Sequence, residues 1–427
     1  MAKFFQSLWS PMTFRPLHRV ILASGLTNLA DGIATVAWAW LASLLTRDPV
    51  WIALVPVALR LPWALCAIPA GIITDRADRR VLILQMDALR ALAFLAVGVA
   101  IISALPLAPA PARGISNMGL FWAILCGASV VGVAEVFRDN AAQTMLPTLV
   151  PHAELETANG RLWSVELIGN ALIGPAFGAM LIGFALPAPF LFNALSYFAA
   201  IFLVLRIKGV FRAAGPRVRD WRAELKEGVA FLRAAPLLRS LAWITGVWNL
   251  LFHMMMIALV LHVQENLGLN AQIYGLILAS GAVGGILGGW LAGPIIRLFG
   301  PTRSAQLALL ASAPIFLVIA IAPGPVSLGL TLAVFEFFGL IWNTVSVSYR
   351  QRAIPDVLLG RVNSLYRLFA WGMMPIGLVL SGLIARGAQS VVDRETAVLM
   401  PMLVAALGAF SLAFVGWKAL GRGFGAT

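Results

Sequence analysis

Twelve apolar stretches follow one another along the chain, at approximately 17–45, 50–73, 81–105, 118–145, 159–185, 188–207, 237–264, 272–299, 303–322, 325–350, 360–386 and 396–420. Each is long enough, at about 20 residues per crossing, to span the hydrocarbon core of a bilayer as a helix. Open sheets would leave edge N–H and C=O groups without partners in lipid, so the stretches predict helices. The longest polar break, 208–236, falls after the sixth stretch. It divides the chain into a first six-helix half (1–207), a cytoplasmic linker (208–236) and a second half (237–427). Within the linker, Asp220 to Leu232 has amphipathic spacing, with Trp221, Leu225, Val229 and Leu232 on one side. That pattern predicts a short helix lying on the membrane surface.

The two halves echo each other. Gln143 precedes Pro147 by four residues, and Gln351 precedes Pro355 by four. Both pairs close the fourth stretch of their half, and each is followed by an asparagine opening the next, Asn159 and Asn363. A weaker echo links Gly71–Arg76 to Gly293–Arg297. Duplicated halves around a central site are a common plan for transporters.

Composition agrees: 60% of the 427 residues are apolar and 11% charged, too little charge to cover a soluble surface of this size. The net charge of +13 is explained by where it lies. Alternate loops are basic, at 1–19, 74–80, 208–236, 297–303, 350–361 and 418–422; the loop at 146–158 carries no Lys or Arg and is only flanked by Arg138 and Arg161. The intervening loops hold only Arg47, Arg113, Arg386 and Arg394. The positive-inside rule then puts both termini and the linker in the cytoplasm of a bacterial-type inner membrane. The basic charge is directed at the bilayer, and nucleic acid is not expected as a partner. Cys66 and Cys126 both fall in apolar stretches and read as packing thiols. No small-residue cleavage site follows the first stretch, which reads as a span and not as a signal peptide. No HExxH, P-loop or Cys/His ligand cluster is present, so neither an enzyme nor a cofactor or metal site is expected.

Ionisable groups inside a bilayer are costly unless paired or wet, and each is a candidate for function. Asp31 lies about 21 Å along the first span at 1.5 Å per residue, near the midplane. Arg60, in the oppositely directed second span, falls at matching depth. The two are expected to face each other, as a cavity pair tied to protonation or as a static ion pair. In span four, Glu135, Arg138 and Asp139 share one helical face. Span seven offers Asn249 and His253, and span ten Glu336 and Asn343; packing and interhelical hydrogen bonds are the plainer roles for the histidine and the asparagines. A coupling carboxylate must change protonation during the cycle, which burial and a withdrawable cation allow. Asp31 is the favoured candidate, with Glu135 and Glu336 as alternatives. Gly281, Gly284, Gly285, Gly288, Gly289 and Gly293 in span eight predict close helix packing.

The segment Gly71-Ile-Ile-Thr-Asp75-Arg76-Ala-Asp78-Arg79-Arg80 resembles the signature between spans two and three of the major facilitator superfamily, with Asp78 in place of its second glycine. The resemblance implies a cytoplasmic latch formed by Gly71, Asp75, Arg76, Arg79 and Arg80 with Arg138 and Asp139. Gly174-Pro175-Ala-Phe-Gly178 is similar to the span-five motif of drug/proton antiporters, although Asn170 and Ala179 replace two of its glycines. Asn28-Leu-Ala-Asp31-Gly32, Leu61-Pro62-Trp63, Asp87 to Arg90, Pro355-Asp356 and Gly360-Arg361-Val362-Asn363 look like the enterobactin-exporter and macrolide-efflux branch. The resemblance covers nearly the whole chain. It implies an all-α membrane protein of twelve transmembrane helices in two pseudo-symmetric halves, working as a monomer by alternating access, with spans one, four, seven and ten lining the cavity. It further implies proton-coupled export of small amphipathic molecules, with Asn28 beside Asp31 at the cavity. Inward transport, or transport of a lipid or siderophore, by the same fold is the alternative.

Overall fold

The computed structural model describes residues 15–151, 155–212 and 221–425; within these, the side chains of Asp75, Asp356, Gly360, Arg361, Asn363 and several neighbours lie outside the description. The described residues are helical, with no strand among them. Span one is Arg15–Leu45, span three Arg79–Ala104, span four Met118–Met145 and span six Ala188–Leu205. Span seven is Pro236–Leu261, closed by a π-turn at His262–Asn266; span ten is Pro325–Ala353, span eleven Asp356–Ala388 and span twelve Arg394–Gly425. Spans eight and nine form one run, Ala271–Ile321, that folds back at Gly300, whose φ of 77° suits glycine.

Span two is shorter than its apolar stretch and broken. Pro49–Leu65 ends at Cys66, and Ala67–Arg76 continues after it. Pro62 and Pro69 lack the N–H groups that would carry the ladder through this region. The second piece takes up most of the expected loop, leaving only Ala77 and Asp78 between spans two and three. Asp78 does not adopt a positive φ where the superfamily has glycine. At φ −72° it is the N-cap of span three, and its carboxylate accepts the backbone N–H groups of Arg80 and Val81. An N-cap needs an extended backbone and an acceptor side chain, and aspartate supplies both.

Span five has three parts: Leu155–Glu166, a π-turn over Leu167–Ile173, and Gly174–Phe184. Pro175 has no N–H for the carbonyl four residues back. The ladder widens instead, and the Gly174 N–H bonds to the Gly169 carbonyl.

Packing follows the twofold plan. In the first half span one packs on spans five and six, span two on four, and span three on four and six. Six positions on, span seven packs on eleven and twelve, span eight on ten, and span nine on twelve. The halves meet where span two packs on eleven and span five on eight. The linker helix, Trp221–Ala234, lies against spans seven and eleven and buries Leu232 with Leu238, Ile354, Val362 and Leu365.

Candidate functional site

A charged network is buried in the first half. Arg90 of span three is fully buried and forms an ion pair with Asp31 of span one. The Tyr197 hydroxyl of span six donates to the same Asp31 oxygen at 2.6 Å, and the Arg90 guanidinium lies 4.4 Å from the centroid of the Tyr197 ring. Phe94 stacks on that ring at 5.7 Å. A buried arginine is tolerable only when paired, and here three helices provide the pairing.

The direct Asp31–Arg60 pair expected from matching depth is not formed. Arg60 instead approaches Glu135 of span four at 3.8 Å. Equal depth places two residues in one plane of the membrane, but helix rotation decides which of several partners each one meets. Arg60 is 43% exposed, so water screens this contact, which contributes about 1 kcal/mol or less. Arg138, largely buried, lies 3.6 Å from Asp87 of span three and 3.3 Å from Asp139, and donates to the Thr27 hydroxyl at 3.0 Å. It is thus tied to the core of the first half. Asp87, Arg90 and Tyr197 are functional candidates that the span-by-span survey of polar residues passes over. Asp87 and Arg90 stand three apart in an otherwise apolar stretch, which is the signal that marks Glu135 and Arg138; a lone tyrosine carries no such signal.

Above this network lies a cavity of about 390 Å³ between the halves, lined by Asp31, Thr35, Trp38, Arg60 and Glu135 from one side and by Phe252, His253, Tyr274 and Glu336 from the other. A second cavity of about 520 Å³ includes Trp248, Asn249, Trp342, Asn343 and Arg367, with Trp163 from span five. Glu336 lines both. The other polar candidates are partly committed to structure. The Asn249 side chain donates to the Ala370 carbonyl at 2.8 Å, and the His253 Nδ1–H donates to the Asn249 carbonyl at 2.9 Å. Asn28 turns back on its own helix and donates to the Ser24 carbonyl at 2.9 Å, so it is not at the cavity wall.

At the span-five motif, backbones touch. A Cβ on Gly174 would stand 2.5 Å from the Gly32 Cα, and one on Gly178 would stand 2.8 Å from the Ile33 carbonyl oxygen. Pro175 presents its carbonyl to Gly275 of span eight, where an added Cβ would come within 2.6 Å. The motif therefore joins span one to the opposite half.

The two ends of the molecule differ. At the end holding the loop between spans one and two, Arg47 lies 3.6 Å from Glu265, and Arg394 donates to both Glu265 oxygens, at 2.8 and 3.0 Å, and to the Arg47 carbonyl. Arg386 lies 3.7 Å from Asp48, and the Gln264 amide donates to Ser43 at 2.7 Å. The π-turn after span seven carries Gln264 and Glu265 across to the other half. Asp393 caps span twelve beside this cluster, and its hydrogen bonds from the Thr396 N–H and hydroxyl hold its carboxyl below the usual range. Three of the four arginines that depart from the charge bias of these loops thus form a clamp between the halves.

At the opposite end, the signature after span two holds to its own half. Arg80 donates to the carbonyls of Val204 and Leu205, at 3.2 and 2.7 Å, where span six ends. Asp78 accepts the Phe211 N–H at 3.2 Å, and the Arg79 N–H donates to the Phe211 carbonyl at 3.2 Å. Gly71 and Arg76 lie on the last turns of span two, with Arg76 exposed. The described partners of Arg138 are Asp87, Asp139 and Thr27. The contacts of the Asp75 side chain lie outside the description.

A family model described as transmembrane secretion effector matches residues 6–420. The multidrug efflux pump Tap of Mycolicibacterium fortuitum is 26% identical over 398 residues, covering 87% of this chain and 90% of that protein. Among solved structures, a bacterial homologue of the iron transporter ferroportin in its inward-facing state matches with a TM-score of 0.69 at 18% identity, covering 94% of this chain and 100% of that one. A bacterial homologue of the human lysosomal transporter Spinster, inward-facing and occupied, matches with a TM-score of 0.72 at 14% identity, covering 97% and 98%.

Proposed function

Because the chain belongs to the transmembrane secretion effector family of the major facilitator superfamily, and is a multi-pass membrane transporter of that fold, we propose that it exports small amphipathic molecules by alternating access in exchange for protons. The observation that carries this reading is the cavity between the halves, in which carboxylates face an otherwise largely apolar, aromatic wall. Likeness to a multidrug efflux pump favours the outward direction. The basic loops orient the molecule with its termini and linker in the cytoplasm of the inner membrane. The clamp of Arg47, Glu265 and Arg394 then closes the extracytoplasmic side, and the second cavity, with Arg350 and Gln351 at the far end of span ten, faces the cytoplasm. The signature after span two, whose described contacts at Asp78, Arg79 and Arg80 are with the end of span six and Phe211, latches the cytoplasmic side in the other conformation.

We infer that the coupling role falls to Glu135 and not to Asp31, and the geometry of the two carboxylates supports this reading. Asp31 is held by a buried arginine and a tyrosine, and serves as the counter-charge of Arg90. Glu135 stands near Asp31 and Arg90, and its one ion-pair contact among the described residues is with Arg60, a half-exposed side chain on a span that borders the other half. Movement of span two against span eleven withdraws Arg60, and Glu135 then takes up the proton. Everted membrane vesicles test the reading. Export of a substrate under an imposed pH gradient should be lost in Glu135→Gln, while exchange without a gradient persists. Export by the wild-type chain that ignores the gradient would refute proton coupling.

A further inference from the structure

The two cavities share one acidic residue, Glu336 of span ten. Its surroundings differ from those of the other carboxylates at the central cavity. Asp31 is matched by Arg90 and Glu135 by Arg60. Among the described residues no arginine, lysine or histidine forms an ion pair with Glu336. The arginines of the second cavity are occupied elsewhere: Arg350 lies 3.8 Å from the Tyr366 ring centroid and Arg367 lies 5.2 Å from that of Trp371. Glu336 is thus the one carboxylate of the central cavity with no cationic partner among the described residues.

Beside it stands an aromatic stack, of which Phe252 and Trp248 line the cavities and Phe335 is fully buried. Trp248 stacks on Phe252 at 5.3 Å and 9°, and Phe335 stacks on both, at 5.0 Å and 16° with Trp248 and at 5.4 Å and 10° with Phe252. A Cβ added to Gly339 would meet the Glu336 Oε2 and the edge of the Trp248 ring at the same distance, 3.8 Å. Carboxylate and indole therefore flank one small gap. On the other side, Glu336 rests on the glycine face of span eight, where a Cβ at Gly281 would lie 3.4 Å from its Cγ. Leu332 and Leu340 pack against Gly281 and Gly285, while at Gly339 nothing comes nearer than 3.8 Å.

We propose that Glu336 and the Trp248–Phe252–Phe335 stack form a substrate subsite for a monovalent organic cation bearing aromatic rings. The proposal rests on the export reading and gives its site a substrate class. An unpaired carboxylate facing a cavity gains most from a single positive charge. Aromatic faces attract the same charge and bury the apolar part of the ligand. Proton handling and substrate recognition then fall on different halves: Glu135 with Arg60 in the first, Glu336 with the aromatic stack in the second.

The test is equilibrium binding of labelled tetraphenylphosphonium, and of its neutral relative triphenylphosphine oxide, to the purified full chain in detergent. Glu336→Gln should weaken the cation by about tenfold or more, roughly 1.4 kcal/mol or above, and leave the neutral ligand within about twofold. Glu336→Asp should retain most of the cation affinity. Equal losses for both ligands, or unchanged cation affinity in Glu336→Gln, overturn the proposal. Loss of proton-driven export in Glu336→Gln with cation affinity intact also overturns it and makes Glu336 a coupling group. If Glu336→Gln does not yield folded protein, Trp248→Ala carries the test, and unchanged tetraphenylphosphonium affinity in that variant refutes the subsite. A wild-type chain that exports under a pH gradient but binds no tetraphenylphosphonium overturns the subsite and leaves the export reading standing. Binding through Glu336 without any export does the reverse.

Discussion

Asp31 and Glu135 are both carboxylates near the middle of the membrane, yet their environments give them different work. Arg90 has no exposed surface, and its charge is balanced by Asp31. Asp31→Asn would leave that charge buried and uncompensated, a loss of about 3–5 kcal/mol. Thermal unfolding in detergent should show a marked fall for Asp31→Asn and substantial recovery in Asp31→Asn/Arg90→Met. Glu135→Gln should unfold close to wild type, because its partner is half-exposed and the contact is long. A stable Asp31→Asn protein would contradict the assignment of Asp31 as Arg90's counter-charge. The sequence made Asp31, Arg60 and Glu135 visible as costly residues in lipid. It could not pair them, because pairing depends on the rotation of each helix about its axis, and a shift of one residue turns a helix by about 100°.

At the level of the helix, small deviations from regular geometry place the working parts. The π-turn before Gly174 re-aims the second piece of span five so that its glycines lie on span one. Gly174→Leu would push a side chain against the backbone of Gly32, which cannot move aside without separating the spans. Transport should fall severely in that variant, or protons should leak. Gly289→Leu, at a position of span eight where an added Cβ meets nothing within 4 Å, should leave transport near wild type. Not all the span-eight glycines are packing contacts: Gly284 and Gly288 meet the backbone of span ten at Ala333 and Phe337, and Gly289 faces open space. Asp78→Ala removes the cap of span three and should cost about 1 kcal/mol locally. Faster hydrogen exchange at Arg80 and Val81 would report it, and unchanged exchange would mean that the cap contributes little.

Across the whole molecule the question is which end is closed. The clamp joins Arg47 and Asp48 of the first half to Glu265 and Arg386 of the second, with Arg394 bridging. Glu265→Gln removes the carboxylate that two arginines share, and the balance should shift toward the state open at this end. In a Cys66→Ser/Cys126→Ser background, a Thr35→Cys residue on the cavity wall should then react several-fold faster with an impermeant maleimide added from outside. No change in rate would reduce the clamp to a surface contact. The same orientation requires a C-terminal reporter to be active only in the cytoplasm.

The blocks of apolar residues determined the helices and their number, because lipid admits few other ways to satisfy a backbone. The loop charges carried the proposed orientation, and the echoes at Gln143 and Gln351 marked the duplicated plan. All of these are local or periodic features, and one dimension is enough to carry them. The signature after span two was recognisable as a motif, but its chemistry was not: Asp78 reads as a departure from a glycine turn until span three begins on it. Which arginine neutralises Asp31, how the clamp crosses between halves, and the isolation of Glu336 beside Trp248 were decided only by tertiary structure. Each involves side chains from distant spans brought within a few ångströms, and those distances are set by helix rotation, by the kinks at Cys66 and Gly174, and by glycines that let backbones touch.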